Sequence, residues 1–112
     1  MKALVVIPTY NERHNIGRIV PAVLAQDPGL EVLVVDDNSP DGTAEVVRRL
    51  QGEEPRVHLL QREGKLGLGT AYLAGFDYAL RETDAEFIFE MDADFSHDPK
   101  ALPGLLEVAQ DC

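Results

Sequence analysis

Two carboxylates separated by one residue, Asp92-Ala93-Asp94, directly follow the apolar segment EFIFEM at residues 86–91. Their like charges repel each other at this spacing unless a cation lies close by. Hard oxygen ligands of this kind suit Mg²⁺ or Mn²⁺. Because short acidic pairs are also common in ordinary turns, the pair alone supports a metal site and a solvated turn about equally. Its position directly after a predicted strand favours the metal site.

Two further polar groups follow apolar segments. PTYNE at residues 8–12 follows ALVVI at residues 3–7, and it either turns the chain or faces a ligand. Asp36-Asp37 ends the segment EVLVVD and is followed by Asn-Ser-Pro-Asp-Gly at residues 38–42. The residue types of this last group are those of turns and helix caps, and by itself it indicates no more than that.

A glycine-rich segment, REGKLGLGTAY at residues 62–72, follows the next apolar segment. It is not a P-loop, because threonine rather than lysine follows its last glycine. It is not the dinucleotide fingerprint either, because it does not follow the first strand and a tyrosine stands where glycine or alanine is needed. Two interpretations remain: a tight turn into a closely packed helix, or a loop that brings Arg62 or Lys65 to a phosphate.

The elements that must position these groups alternate as β-α-β-α-β-α-β-α. This order predicts an α/β fold, a doubly wound, mostly parallel sheet with helices on both faces and right-handed crossovers. Pro21 lies inside the first helical pattern and is expected to kink or shorten it. Thr43 is the expected N-cap of the second helix, which Gly52 should end. Strands are predicted at residues 3–7, 31–36, 56–60 and 86–91, and helices at 16–24, 43–52, 68–80 and from Pro99 onward.

In open α/β sheets, ligands bind outside the carboxyl ends of the strands. Each of the four polar groups follows a predicted strand, so PTYNE is interpreted as one wall of a site rather than a mere turn. His97 is predicted to be an exposed loop residue, and His14 and His58 to be structural or exposed. Tyr72 and Phe76 have helical spacing and are predicted to belong to the core.

Composition and charge limit the classes of function. The chain has 112 residues, enough for one domain, with 10 Lys and Arg against 20 Asp and Glu, a formal charge of −10. This acidity argues against a nucleic-acid partner, and an anionic ligand would need a cation or backbone donors. No apolar run is long enough to span a membrane. Cys112 is the single cysteine, so no internal disulfide can form, which fits a reducing, cytoplasmic compartment.

Taken together, VVIPTYNE, VVDDNSPDGT, REGKLGLGTAYLAGF and MDADFSHDP resemble the family 2 inverting glycosyltransferases. The likeness is closest to the dolichol- or polyprenyl-phosphate mannosyltransferase group, and it runs from residue 4 to about residue 100. It implies a GT-A fold whose nucleotide-binding half is this sheet. It also implies a nucleotide-sugar donor, GDP-mannose, a Mg²⁺ or Mn²⁺ ion, and a dolichyl or polyprenyl phosphate acceptor that brings the enzyme to the membrane surface.

The resemblance also assigns roles by position. Asp92, Ala93 and Asp94 would be the D-x-D motif at the diphosphate, with Asp94 on the metal and Asp92 on the metal or the nucleotide. Some relatives use a glutamine two residues after the second aspartate, where this chain has Ser96. The base and ribose of the donor would lie against Pro8, Tyr10, Glu12, Val35 and Asp37.

Other functions fit parts of the sequence. A UDP-glucose or UDP-N-acetylhexosamine transferase would use the same residues near the base. A receiver-like signalling domain could hold Mg²⁺ at Asp36-Asp37, but its third strand should end in a phosphorylatable aspartate, and here it ends in Leu59-Leu60-Gln61. An inactive sugar-nucleotide-binding module is disfavoured by the intact pair of aspartates. Because the family's acceptor side follows these motifs, residues 1–112 are expected to be the donor-binding part of a catalytic domain, truncated at the C-terminal end.

Overall fold

The computed structural model describes residues 2–64, 68–94 and 98–111. The predicted alternation of strands and helices is confirmed. A 3₁₀ turn at Pro99–Ala101 leads into the last helix. The strands are β1 (Ala3–Thr9), β2 (Leu30–Asp36), β3 (Val57–Gln61) and β4 (Phe87–Glu90), and the helices are α1 (Arg13–Leu24), α2 (Thr43–Glu53), α3 (Leu68–Glu82) and α4 (Leu102–Asp111).

The four strands form one parallel sheet in the order β3-β2-β1-β4. The chain moves outward from β1 to β2 and β3, and then returns to place β4 on the other side of β1. The strand order therefore changes direction between β1 and β4, which is where open α/β sheets bind ligands. This order also differs from the 2-1-3-4-5 order of receiver domains, so the receiver interpretation does not fit.

Both faces of the sheet are covered, as right-handed crossovers require. Val5 and Ile7 of β1 lie in a core cluster with the apolar faces of α1 and α2. Leu4 and Val6 lie on the opposite face, in a second cluster with residues of α3. Since every β1 side chain from residue 3 to residue 7 is buried, the strand has a continuous apolar sequence rather than an alternating one.

Helix α3 approaches β1 unusually closely at Gly75. A Cβ atom at this position would lie 2.5 Å from Cγ1 of Val6, which is closer than carbon atoms can pack. Only glycine allows this approach, and the distance between α3 and the sheet therefore depends on it.

Two local predictions need correction, and a third is decided in part. Pro21 does not shorten α1, which runs through to Leu24, and the kink expected as the alternative stays a prediction. Gly42, with φ of +90°, caps α2 instead of Thr43, which is the first helical residue. The α2 helix also continues past Gly52 to Glu53.

Candidate active site

The carboxyl ends of the first three strands are tied to one another by backbone hydrogen bonds. The N–H of Asp37 donates to the carbonyl of Thr9 at 3.1 Å, and the N–H of Arg62 donates to the carbonyl of Asp36 at 2.7 Å. On the other side of β1, the N–H of Met91 donates to the carbonyl of Val6 at 3.0 Å. The structure therefore brings the four sequence-predicted polar groups to one edge of the sheet.

Asp36 holds the turn after β2. Its carboxylate is fully buried and accepts hydrogen bonds from the Thr9 hydroxyl at 2.7 Å, and from the Ser39 hydroxyl and N–H at 2.6 and 3.0 Å. A buried carboxylate needs such donors to offset its lost hydration. Asp36 is thus a turn-forming residue, as its neighbours in the sequence indicate, and it ties the end of β1 to the loop after β2.

The loop after β2 caps helix α1. The N–H of Asn11 donates to Ser39 Oγ at 2.9 Å, that of Glu12 to Thr43 Oγ1 at 3.0 Å, and that of Arg13 to Asp41 Oδ2 at 3.1 Å. These N–H groups precede or begin α1 and have no acceptor within the helix. The shape of the PTYNE segment is therefore set by residues that follow a different strand.

The hydrogen bonds to Asp41 also affect its acidity. Burial by itself would raise the pKa of this carboxyl, but the hydrogen bonds from the Thr43 hydroxyl and from the N–H groups of Arg13 and Thr43 outweigh it. The pKa of Asp41 consequently lies below its ordinary value of 3.8. Asp41 therefore stays ionised when it caps α1.

Asn11 and Asn38 occupy equivalent places, each two residues after the end of its strand, β1 and β2 respectively. Both have left-handed backbone conformations, with φ of +57° and +56°. Asparagine tolerates this region better than other residues with a Cβ, because its short side chain can bond locally. The Asn38 side chain donates to the carbonyl of Glu63 at 3.2 Å, which links the loop after β2 to the loop after β3.

Asp37 faces Arg62, the residue directly after β3. The guanidinium Nε and Nη2 atoms donate to the two carboxylate oxygens at 2.6 and 2.8 Å, and the side chains are only 8% and 10% exposed for Asp37 and Arg62. Arg62 Nη1 also donates to Thr70 Oγ1 at 3.0 Å, on the first turn of α3. The structure thus places Arg62 against the predicted ribose ligand, and its role at a phosphate stays a prediction. Lys65 lies outside the described residues.

Asp92 and Ala93, which come after β4, lie on opposite faces of the sheet. Ala93 is buried in the cluster beneath α1 and α2, whereas Asp92 lies on the α3 side, where its Oδ1 accepts a hydrogen bond from the Tyr72 hydroxyl at 3.2 Å. Asp94 is exposed. Since the middle residue of the D-x-D spacing is in the core, the two carboxylates are left at the surface of the site.

Tyr72 is a site residue that the sequence analysis assigned to the core. Its ring does pack against the second core cluster, so that prediction holds for the ring, but its hydroxyl reaches Asp92. Burial, together with the negative charges of Asp92 and Glu90 and the bond to Asp92, raises the pKa of Tyr72 to about 12. The phenol is therefore protonated at neutral pH and donates to the carboxylate. Its helical spacing in the sequence is that of a core residue, so the sequence carries no local signal for this contact.

The other predicted nucleotide contacts differ in exposure. Tyr10 is 39% exposed directly after β1, and Pro8 is half-buried. The Glu12 carboxylate accepts a hydrogen bond from the Asn15 side chain at 3.1 Å. Val35 is fully buried beneath α3. Pro8, Tyr10 and Glu12 therefore lie where a ligand could meet their side chains, and the roles assigned to all four residues stay predictions.

The donor atoms at the end of β4 fit a hard divalent cation. Asp92 and Asp94 supply carboxylate oxygens only, and within residues 2–64, 68–94 and 98–111 no three acidic, histidine or cysteine side chains group together as a cage. Mg²⁺ and ions like it are usually held by one or two carboxylates, with waters and substrate phosphates completing the shell. Two carboxylates at a strand end match that pattern. His97 and Ser96 lie outside the described residues.

A second polar cluster lies at the opposite, amino-terminal edge of the sheet. His58 Nε2 is 2.8 Å from Glu31 Oε1, and its Nδ1 is 3.2 Å from the Tyr78 hydroxyl. This agrees with the structural role predicted for His58.

Among the described residues, no helix combines the length and the apolar character that crossing a bilayer requires.

The open parallel sheet, with its aspartate pair after the strand at which the strand order reverses, is an α/β fold of the kind that binds ligands outside the carboxyl ends of its strands. The chain matches the model of glycosyl transferase family 2 over residues 4–111, and it belongs to that family. The resemblance seen in the sequence motifs is thereby confirmed.

Two curated relatives and one solved structure are similar to this chain and are all glycosyltransferases that act on mannose according to their names. The chain is 50% identical over 107 residues to the polyprenol monophosphomannose synthase of Mycolicibacterium smegmatis, covering 95% of this chain and 40% of that protein. It is 47% identical over 114 residues to the undecaprenyl-phosphate mannosyltransferase of Micrococcus luteus, covering 98% and 45%. A mannosyltransferase of Pyrobaculum calidifontis, solved with GDP-Man and Mn²⁺, is similar with a TM-score of 0.69 and 34% identity, over 83% of this chain and 27% of that one. The chain thus spans less than half the length of these curated relatives.

Proposed function

We propose that this chain is the donor-binding part of a metal-dependent inverting glycosyltransferase that transfers mannose from GDP-mannose to a polyprenyl or dolichyl phosphate. The observation that carries this proposal is the identity of 50% with a polyprenol monophosphomannose synthase over 95% of the chain. The structure supports it because the motif residues converge on the edge of the sheet where nucleotides bind in such folds.

The proposed nucleotide site lies between the ends of β1 and β2. Tyr10 supplies an exposed aromatic surface for the base, and Asp37 supplies carboxylate oxygens for hydroxyl groups of the ribose. Pro8, Glu12 and Val35 complete this part of the site by the family resemblance. The bidentate ion pair with Arg62 holds the Asp37 carboxylate in one orientation, because both of its oxygens are engaged.

The proposed diphosphate and metal site lies at the end of β4. Asp94, with Asp92 beside it, would hold Mn²⁺ or Mg²⁺. When bound, such a cation stabilises the negative charge that develops on the diphosphate leaving group. The formal charge of the chain is −10, so a cation is also needed to offset the repulsion between the aspartates and an anionic donor.

The proposed reaction is a direct displacement at the anomeric carbon of mannose. An oxygen of the acceptor phosphate forms the new bond as the bond to the diphosphate oxygen breaks, so the configuration inverts. The acceptor phosphate is ionised at neutral pH, and therefore no residue has to remove a proton from it. The protein's contribution is to orient the two substrates and to complement the charge of the leaving group. The lipid acceptor would bring the enzyme to a membrane surface.

Calorimetric titration of the chain with GDP and with UDP, each with and without Mn²⁺, tests the proposal. We expect GDP to bind more tightly than UDP, and its binding to strengthen markedly with Mn²⁺. Tighter binding of UDP would replace the mannosyl donor with a UDP-sugar. Equal binding with and without Mn²⁺ would contradict the metal site at Asp92 and Asp94.

A further inference from the structure

The Tyr72 hydroxyl is the point where helix α3 meets the end of β4. It donates to Asp92 Oδ1 at 3.2 Å, while the tyrosine ring packs against a core cluster that includes Leu4, Val6, Leu33 and Val35. The ring is therefore held by the protein interior, and only its polar end reaches the site. A hydroxyl held in this way has a fixed position relative to the sheet.

The packing of α3 fixes that position further. One turn after Tyr72, Gly75 allows the helix to approach β1 so closely that a Cβ atom would lie 2.5 Å from Val6. Ala71 and Ala79, which are also buried, continue the same face of the helix. These small residues set the distance between α3 and the sheet. The Tyr72 hydroxyl could therefore move away from Asp92 only if the packing of α3 on β1 at Gly75 were lost.

Asp92 needs such a partner. It lies two residues after Glu90, the last residue of β4, is half-buried, and lies beyond the hydrogen bonds that pair the strand with β1. A carboxylate offers about four acceptor positions, so one hydrogen bond restricts its rotation and leaves capacity for a cation or a ligand. Donors that orient metal-binding carboxylates commonly act in this way from outside the coordination shell.

We propose that Tyr72 is a positioning residue that orients the Asp92 carboxylate through its phenol hydrogen bond, and so sets the affinity of the site for a divalent cation. This inference rests on the proposed role of Asp92 in the donor site. It adds Tyr72, a residue of helix α3 that lies outside the Asp92-Ala93-Asp94 motif, to the residues that determine metal binding. The competing explanation is that the bond merely fastens α3 to β4.

The substitution Tyr72→Phe separates the two explanations, because it keeps the ring and removes only the hydroxyl. Tyr78→Phe is the matched control on the same helix. The Tyr78 hydroxyl is also half-buried and lies 3.2 Å from a partner, His58 Nδ1, but this pair is at the opposite edge of the sheet. Thermal unfolding should show similar small decreases in Tm for the two variants.

Titration with Mn²⁺ alone, followed by the loss of the free-ion electron paramagnetic resonance signal, reports the affinity directly. We expect Tyr72→Phe to raise the Kd for Mn²⁺ by roughly tenfold, the lower end of the usual effect of such partners, and Tyr78→Phe to leave it unchanged. An unchanged Kd in Tyr72→Phe would overturn the inference. Equal weakening in both variants would also overturn it, since loss of helix packing would then explain the effect.

A double-mutant cycle tests whether Tyr72 acts through Asp92. In an Asp92→Ala background, Tyr72→Phe should change the Kd for Mn²⁺ by less than about twofold, because the side chain that it orients is gone. A further tenfold loss in that background would show a different route and overturn the inference. The titration uses no nucleotide, so failure of the chain to bind GDP would count against the proposed function alone, and the Mn²⁺ comparison would still decide the role of Tyr72.

Discussion

Arg62 and Asp37 form a bidentate ion pair between the residues that directly follow two neighbouring strands. Its donor-to-acceptor distances are 2.6 and 2.8 Å, and both side chains are about nine-tenths buried. The pair joins the ends of β2 and β3, and the Arg62–Thr70 bond extends the connection to α3. The ion pair thus holds the strand ends together, and it also orients Asp37, the proposed contact of the donor ribose.

We expect Arg62→Ala to destabilise the protein by about 3 kcal/mol, because it leaves the Asp37 carboxylate buried without its partner. Urea unfolding at neutral pH measures the change. Arg48→Ala is the control: its ion pair with Glu45 is solvent-exposed and should be worth at most about 1 kcal/mol. Equal losses in the two variants would show that the Arg62 pair contributes no more than a surface contact.

Gly75→Ala should destabilise the fold by about 1–3 kcal/mol, because its Cβ would overlap Val6 and push α3 away from the sheet. Gly69→Ala on the same helix has open space around it, and the better helix propensity of alanine should make it neutral or stabilising. Thermal unfolding of both variants makes the comparison. A Gly75→Ala protein as stable as Gly69→Ala would mean that α3 does not pack on β1 at this distance.

Asp41→Asn should be less stable than the unchanged chain at neutral pH, and the difference should shrink in acid. The folded-state pKa of Asp41 is lowered, so its charged form contributes stability above its unfolded value of 3.8 and loses it as the pH falls through the folded value. Urea unfolding of both proteins at pH 7 and near pH 3 measures the difference between their free energies of unfolding. The titration of all other groups contributes equally to both proteins and cancels in this difference. A difference independent of pH would contradict the capping role of the charged carboxylate.

Asp94→Ala should abolish the strengthening of GDP binding by Mn²⁺ and leave the fold intact, because the side chain is exposed. Calorimetry gives the binding, and circular dichroism checks the fold. Asp77→Ala, which removes an exposed carboxylate from α3, is the charge control and should bind as before. Unchanged Mn²⁺ dependence in Asp94→Ala would exclude Asp94 as a metal ligand.

Tyr10→Ala should weaken GDP binding by roughly tenfold both with and without Mn²⁺, since about 1.4 kcal/mol of aromatic contact with the base is lost. The same calorimetric titration reports it. Tyr10→Phe, which retains the ring, should bind nearly as well as the unchanged chain. GDP affinity that is the same in all three proteins would remove the PTYNE segment from the nucleotide site.

The sequence by itself determined the order and approximate bounds of the elements. The strands predicted at residues 3–7 and 31–36 lie at Ala3–Thr9 and Leu30–Asp36, because strands buried on both faces need continuous apolar runs. The polar groups at strand ends were also readable, since the carboxyl ends of parallel strands share one edge. The family followed from the same four motifs and is confirmed over residues 4–111.

Only the tertiary structure decided which polar residues meet. The strand order β3-β2-β1-β4, the capping of α1 by Ser39, Asp41 and Thr43, and the bond from Tyr72 to Asp92 all join residues 20 or more positions apart. Local propensity carries no information on such pairs, because they form when helices pack on the sheet. For the same reason Tyr72 has the helical spacing of a core residue in the sequence, and its hydroxyl reaches the site only because α3 lies close enough to β1 at Gly75.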